Sequence, residues 1–202
     1  SIMAVGFSNT NKPINPRGND ASPKGYNRAS LFSGKALDFD GINDSVTATG
    51  SNTLSFSEIT LSAYLKFDNL GALQVIMQKK RVAAGYQTAA FIISANGELW
   101  FKTSNGTTEY TASYSDFVTG EFYHIIGASD GLNNYLYVNG QLVSTVESNA
   151  LQNSTDYDFV LGDYGNSFFF NGQISNAKVF DVALTAAQVA DLYNNPEKIV
   201  PT

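Results

Sequence analysis

The feature that most constrains the fold is the dipeptide Asn139-Gly140, which lies between two alternating segments, Leu136–Val138 and Gln141–Val146. A two-residue Asn-Gly connection favours a type I′ turn, because both of its residues adopt positive φ. This turn joins neighbouring antiparallel strands, so the region from Phe122 to Val146 is predicted to be strands closed by a tight hairpin. An all-β fold follows from this hairpin.

Other segments extend this reading along the chain. Ile59–Phe67 alternates apolar and polar residues, which predicts a strand with one buried face. Thr185-Ala-Ala-Gln188 matches a capping box, and Asn195-Pro196 would end the helix that it begins. Further strands are predicted at 36–40, 45–48, 73–79, 87–94, 98–103, 107–112, 158–161 and 173–180. Together they predict an antiparallel β-sandwich with one short C-terminal helix.

Composition limits the class of protein. The chain has 202 residues, of which 43% are hydrophobic and 15% charged, so a single large β domain with a packed core is expected. Its net charge of −6 argues against nucleic-acid binding, which needs clustered Lys and Arg. It contains no Cys, which excludes disulfides and thiolate metal sites. No apolar run reaches the roughly 20 residues that span a bilayer, so membrane insertion is not expected.

Composition also suggests the domain organisation. Residues 1–34 contain many Asn, Pro, Gly and Ser residues. We therefore expect them to form a loop-rich N-terminal arm or linker that packs on the domain. Residues 35–195 form the predicted domain, and residues 196–202 are expected to be a C-terminal linker.

Several phrases in this order resemble one family. They are Ala36-Leu-Asp-Phe-Asp-Gly-Ile-Asn-Asp-Ser-Val46, Phe122-Tyr-His124, Leu136-Tyr-Val-Asn-Gly140 and Phe170–Phe180 followed by Ala183–Gln188. The chain resembles the laminin G-like, concanavalin A-like jelly-roll family. This resemblance implies two curved antiparallel sheets packed face to face, which bind glycans or protein surfaces.

The resemblance also suggests what the protein does. Such domains occur in bacterial surface proteins, in accessory regions of carbohydrate-active enzymes and in phage structural proteins. We expect a non-catalytic carbohydrate-binding or adhesion module that is extracellular, on a cell surface or on a virion. The alternative is a structural or decoration protein of a phage capsid or tail, whose partners are neighbouring subunits rather than a glycan or polysaccharide.

A calcium site is a second expectation. Asp38, Asp40, Asn43 and Asp44 place several oxygen ligands on one turn, and Ca²⁺ prefers such oxygen cages. The resemblance implies a structural Ca²⁺ here, completed by an acidic residue of the closing strand, where this chain has Ser175-Asn176. The predicted ligands are therefore Asp40, Asn43, Asp44 and Asn176. Alternatively, these side chains cap turns by bonding to the backbone.

Catalysis is not expected. Glycanases of this fold need two facing carboxylates, about 5–5.5 Å apart for retaining chemistry. Five glutamates are isolated along the predicted domain: Glu58, Glu98, Glu109, Glu121 and Glu147. The only histidine, His124, lacks partners for a triad or a zinc site and is expected to be structural.

Aromatic residues are the candidate ligand-binding groups. The chain has 14 Phe, 11 Tyr and one Trp, more than a glycan site uses, so most should fill the core. In Phe168-Phe-Phe170 the rings cannot all face one way, so at least one should point outward. An outward ring could stack on a sugar or pack on a subunit. The predicted binding residues, all beside turns, are Tyr110, Tyr114, Tyr164, Phe168 and Phe169.

Overall fold

The computed structural model describes residues 4–6, 36–51, 54–80, 87–153, 157–196 and 198. These residues form thirteen strands and one helix. The strands are β1 (Ala4–Gly6), β2 (Leu37–Asp40), β3 (Val46–Ala48), β4 (Ile59–Phe67), β5 (Gln74–Lys80), β6 (Gln87–Ile93), β7 (Leu99–Ser104), β8 (Glu109–Tyr114), β9 (Phe122–Ser129), β10 (Asn133–Val138), β11 (Gln141–Glu147), β12 (Phe159–Leu161) and β13 (Asn171–Phe180), and the helix is α1 (Ala186–Asn194).

The strands form two antiparallel sheets, as the sequence predicts. The seven-stranded sheet has the order β1-β13-β4-β9-β10-β11, and β2 also pairs with β13. The six-stranded sheet has the order β3-β12-β5-β6-β7-β8. Strands that are far apart in sequence, such as β13 and β4, pair within one sheet, which is consistent with a jelly-roll sandwich.

The inner faces of both sheets meet in one aromatic core. Phe67, Phe91, Phe101, Phe159 and Phe170 are fully buried there. The sheets approach closely at Gly127, where an added Cβ would come within 2.2 Å of the Phe101 ring. Only glycine leaves room for that ring, so packing across the sandwich requires Gly127.

The outer face of the seven-stranded sheet is covered by α1. Val189 and Leu192 of the helix pack on Ile126, Tyr137 and Phe180 of the sheet. The predicted period-two burial of β4 is therefore wrong in one respect, because eight of its nine residues are buried. The helix and the segment leading to it cover the face that alternation assigns to solvent.

Both local signals in the sequence are confirmed. Asn139 has a φ of 50° and Gly140 a φ of 80°, as a type I′ turn requires. At the start of α1, Thr185 Oγ1 accepts from the Gln188 backbone N–H at 3.3 Å, and Gln188 Oε1 accepts from the Thr185 backbone N–H at 3.0 Å. These reciprocal bonds are the predicted capping box.

His124 lies buried beneath the helix, as a structural residue would. Its ring stacks on Tyr64, with centroids 4.4 Å apart, and on Tyr193 of α1, with centroids 6.0 Å apart. Its Nε2 lies 3.1 Å from Ser62 Oγ. Burial, with a smaller contribution from the Lys178 charge, lowers the pKa of His124 from 6.5 to about 3.

The predicted terminal segments lie mostly outside the described residues. Of the N-terminal arm only β1 is described, and it pairs with β13 from Lys178 to Phe180. At the other end, Lys178 Nζ donates to Pro196 O at 3.1 Å, and Lys198 Nζ contacts Asp191 Oδ2 at 2.9 Å. The described helix is too short to cross a membrane.

Acid should destabilise the fold through His124. Its pKa is lower in the folded than in the unfolded state, so its neutral form stabilises the fold fully above pH 6.5. That stabilisation is lost as the pH falls toward 3, by about 2 kcal/mol between pH 7.5 and pH 5. Urea unfolding across this range should show the loss in wild type and not in His124→Phe, or in His124→Gln should the first variant fail to fold. If the free energy of unfolding changes equally with pH in wild type and variant, the prediction is wrong.

Candidate functional site

A groove of about 270 Å³ lies on the outer face of the six-stranded sheet. In β7, Leu99 and Phe101 point into the core, so the alternation of the strand turns Trp100 and Lys102 outward into the groove. The lining residues come from three strands, the approach to β5 and one loop: Leu73, Val75, Gln87, Ile92, Trp100, Lys102, Tyr164 and Phe168. We call this site the aromatic groove.

The floor of the aromatic groove is apolar. Val75 pairs with Ile92, and Ile92 pairs with Trp100, so these side chains lie in one row across β5, β6 and β7. Val75, Ala90 and Ile92 form a buried cluster, against which Trp100 and Tyr164 pack. The floor is therefore part of the sheet surface, and the Trp100 and Tyr164 rings are already packed against it.

One wall of the groove is the loop between β12 and β13, residues 162–170, which we call the aromatic loop. Its Phe170 is anchored in the core, with ring centroids 5.9 Å from Phe39 and 6.2 Å from Phe67. Two residues earlier, Phe168 O accepts from the Val75 backbone N–H at 2.8 Å. The loop is therefore fixed to β5 at Phe168 itself and to the core two residues later.

Phe168 is presented to solvent in a strained conformation. Its side chain is 46% exposed, its φ is 54°, and its ring centroid lies 6.2 Å from that of Tyr164. A bulky residue rarely adopts positive φ, and such strain concentrates at ligand sites. The prediction that at least one ring of Phe168-Phe-Phe170 points outward is confirmed at Phe168.

The polar edge of the groove is an ordered network. Lys102 Nζ lies 2.7 Å from Glu109 Oε2 and 4.8 Å from the centroid of the Trp100 ring. Trp100 Nε1 donates to Glu98 Oε2 at 2.8 Å, and this bond, with another from Ser113, lowers the pKa of the Glu98 carboxyl. Gln87 is only 7% exposed, and its Oε1 has no hydrogen-bond partner in the described part of the chain.

The structure brings only some of the predicted binding residues together. Tyr164 and Phe168 line the groove, whereas Phe169 is half-buried and does not. Tyr110 and Tyr114 share the face of β8 that carries Ala112, a core residue, so they point away from the groove. Tyr114 packs against the core, and the Tyr110 hydroxyl accepts from Asn105 Nδ2 at 3.0 Å.

Sequence reasoning missed Trp100, Lys102 and Gln87. A signal for the first two was present, because the period-two pattern that places Leu99 and Phe101 in the core also turns Trp100 and Lys102 outward. For Gln87 the sequence holds no such signal, since its burial depends on packing between strands.

The four predicted calcium ligands do not come together. Asp40 pairs with Asn171, and Asn176 lies five residues further along β13, roughly 16 Å away. Asn176 Nδ2 instead donates to Pro196 O, so Asn176 cannot share an ion with Asp40.

The other three predicted ligands remain on one loop. Asp44 Oδ2 accepts from the Asp40 backbone N–H at 2.9 Å, and Asp40 Oδ1 accepts from the Ile42 N–H at 2.8 Å. These are the turn-capping bonds of the alternative reading. Among the described residues no group of three His, Cys, Asp or Glu is placed to hold a metal, and calcium at Asp40, Asn43 and Asp44 stays a prediction.

Replacing Phe168 should reveal the strain at this position. Glycine adopts positive φ without the steric cost that other residues bear, so Phe168→Gly should be more stable than Phe168→Ala by about 1 kcal/mol. Both variants lack the ring, so their difference isolates the backbone. Urea unfolding of the pair measures it, and an alanine variant as stable as the glycine variant would show that the loop is unstrained.

Comparison with solved structures shows the same fold at low sequence identity. The chain superposes on a Trypanosoma rangeli sialidase in complex with the inhibitor DANA with a TM-score of 0.62 and 13% identity, covering 83% of this chain and 28% of the sialidase. It superposes on a Limulus polyphemus SAP-like pentraxin with a TM-score of 0.61 and 17% identity, covering 78% and 81% of the two chains. The chain thus spans little more than a quarter of the sialidase.

A third similar structure is a separate module. The Ruminococcus gnavus IT-sialidase CBM40, bound to α2,3-sialyllactose, superposes with a TM-score of 0.61 and 14% identity, covering 78% of this chain and 97% of that one. No curated protein sequence matches the chain. A laminin G family model, described as the concanavalin A-like lectin/glucanases superfamily, matches residues 40–190, more than half of the sequence. The chain therefore belongs to the concanavalin A-like lectin and glucanase superfamily.

Proposed function

We propose that this chain is a non-catalytic module that binds a neutral glycan in the aromatic groove, outside the cell or on a virion. The observation that carries the proposal is Phe168, an exposed ring held at a φ of 54° above a floor that includes Trp100. Backbone strain at a bulky exposed residue persists only where the surrounding structure holds it, and such residues cluster at ligand sites. Here the strained backbone presents a flat ring to a ligand.

The chemistry of the groove suits a sugar. Sugar rings have apolar faces edged by hydroxyl groups, and the groove has an apolar floor with a few fixed polar groups at its edge. Phe168 and Tyr164 offer flat surfaces, while Glu98, Glu109 and Gln87 offer oxygen acceptors for hydroxyls. An apolar site with few convergent polar groups is the usual form of a small-ligand pocket.

The charges favour a neutral sugar over an acidic one. Among the described residues, the cation that lines the groove is Lys102, which is already paired with Glu109, and Glu98 lies on the other side of Trp100. A sugar carboxylate would have to displace Glu109 from Lys102 and approach Glu98, at an electrostatic cost. Similar structures include a module bound to sialyllactose, which supports glycan binding for this fold, but the groove here argues for a different sugar.

The carboxylates of the groove are poorly suited to glycoside hydrolysis. A general acid needs a raised pKa, whereas hydrogen bonds lower the pKa of Glu98. Glu109 is held by Lys102. We therefore expect no reducing-sugar release from β-1,3- or β-1,4-glucan during prolonged incubation, and any turnover that Glu98→Gln abolishes would establish an enzyme instead.

Intrinsic fluorescence tests the binding proposal, because Trp100 is the only tryptophan. A panel of neutral polysaccharides, together with lactose and 3′-sialyllactose as a pair, should yield at least one neutral ligand that shifts the emission and no preference for the sialylated sugar. Phe168→Gly should weaken that binding about tenfold or more, as loss of one stacking ring implies. Leu142→Ala, which removes an exposed apolar side chain from the other sheet, should leave it unchanged.

Two results would contradict the proposal. If no sugar of the panel shifts the Trp100 emission, either with calcium or with EDTA, the groove does not bind a glycan. Stronger binding of 3′-sialyllactose than of lactose would reject the charge argument. Sedimentation addresses the alternative assembly role, since self-association lost in Phe168→Gly would show that the groove docks a neighbouring subunit.

A further inference from the structure

A second cavity lies beside the aromatic groove, and we infer that it is a second sugar subsite, so that the ligand is an oligosaccharide rather than a single sugar. This inference rests on the proposed function. The cavity has a volume of about 440 Å³, and most residues that line it have polar side chains, including Thr47, Gln78, Tyr157, Asp163 and Asn166. We call it the polar pocket.

The two sites share one surface. Thr47 pairs with Val160, and Val160 pairs with Gln78, so the polar pocket lies across β3, β12 and β5. The aromatic groove continues from β5 across β6 and β7. The aromatic loop stands between them, with Tyr164 on the groove side and Asp163 and Asn166 on the pocket side.

Gln78 is the observation that points to a ligand. It is 1% exposed, and its Nε2 donates to Asp163 O at 2.6 Å. Its Oε1 has no hydrogen-bond partner in the described part of the chain. Leaving a buried acceptor unpaired destabilises the protein, so a hydroxyl that donates to it would recover that loss.

The other lining groups fit hydroxyls, and both carboxylates of the pocket are already engaged: Asp158 Oδ1 accepts from Ser51 Oγ at 3.2 Å. Thr47 and Tyr157 both carry hydroxyl groups, which donate as well as accept. One oxygen of Asp163 already accepts from the Asn166 backbone N–H at 3.0 Å. A sugar ring supplies hydroxyls that donate and accept, whereas a divalent cation interacts only with oxygen acceptors.

The spacing fits a chain of sugars. Gln78 pairs with Ala90, and Ala90 pairs with Lys102, so the two sites are centred about two strand spacings apart, roughly 10 Å. A ligand that reaches both must pass Tyr164 and Asn166 of the aromatic loop. Affinity should therefore rise with the length of the oligosaccharide until both sites are filled.

Nuclear magnetic resonance distinguishes the two sites in the intact chain. Glucose and the neutral linear hexasaccharides of β-1,3-glucose, β-1,4-glucose and β-1,4-mannose are the probes. The Trp100 indole N–H reports the groove, and the Gln78 side-chain amide reports the polar pocket. A hexasaccharide should shift both resonances and bind more tightly than glucose.

Variants identify the contribution of the polar pocket. Thr47→Val and Gln78→Met should weaken hexasaccharide binding about three- to tenfold, the loss expected from one hydrogen bond. Asn166→Gly, which keeps the positive φ of this position, provides a third variant should Gln78→Met fail to fold. Thr145→Val, at an exposed threonine of the other sheet, is the matched control and should change nothing.

The outcomes separate this inference from the function on which it rests. Shifts at Trp100 alone, with wild-type affinity in Thr47→Val, would overturn the second subsite and leave the proposed function intact. No shift at either position with any hexasaccharide would overturn both. A shift of Gln78 on adding calcium chloride alone, reversed by EDTA, would assign the pocket to a cation and overturn the inference.

Discussion

The functional surface depends on the way in which the aromatic loop is anchored. Phe170 packs into the inter-sheet core beside Phe39 and Phe67, and the Phe168 carbonyl accepts from β5. A loop that is fixed at Phe168 and again two residues later has few conformations there, so it can hold the Phe168 backbone at a positive φ that a free loop would relax. The aromatic groove and the polar pocket are both bounded by this loop, and neither would keep its shape without the anchor.

The two outer faces of the sandwich serve different purposes. Helix α1 covers one of them with an apolar interface around Phe180 and Leu192, and His124 is sealed beneath it. On the other face Val75 and Ile92 form a buried apolar cluster, which the Trp100 and Tyr164 rings cover, and Phe168 is exposed beside it. An exposed ring held on a fixed loop beside an apolar groove is a surface that a ligand or a partner would cover, which directs attention to this face.

Most of the fold could be predicted because its signals are local. The Asn139-Gly140 turn and the Thr185 capping box depend on residues close in sequence, and both form as expected. Alternation also predicts that at least one ring of Phe168-Phe-Phe170 points outward, and the structure shows that it is Phe168, in the loop before β13. Tyr110 and Tyr114 are predicted as binding residues because they lie beside turns. The direction of a strand side chain depends instead on alternation, and both residues lie on the same face of β8 as the core residue Ala112.

The remaining features depend on packing that no sequence pattern reveals. Asn176 sits at an irregularity in the pairing of β13 with β4, which turns it toward the segment after α1 instead of toward Asp40. Gln78 and Gln87 resemble any polar residue in a strand, yet both are buried with a side-chain oxygen to which no described residue donates. Such residues are found only when the neighbours across the sheet are known.

A crystal structure of the chain grown with a neutral hexasaccharide tests the central claim most directly. Our account predicts one sugar ring lying flat against Phe168 above Trp100, with the glycan continuing past Tyr164. A glycan seated instead at the Asp40–Asp44 turn, or on the other sheet with the aromatic groove filled only by solvent, would contradict it.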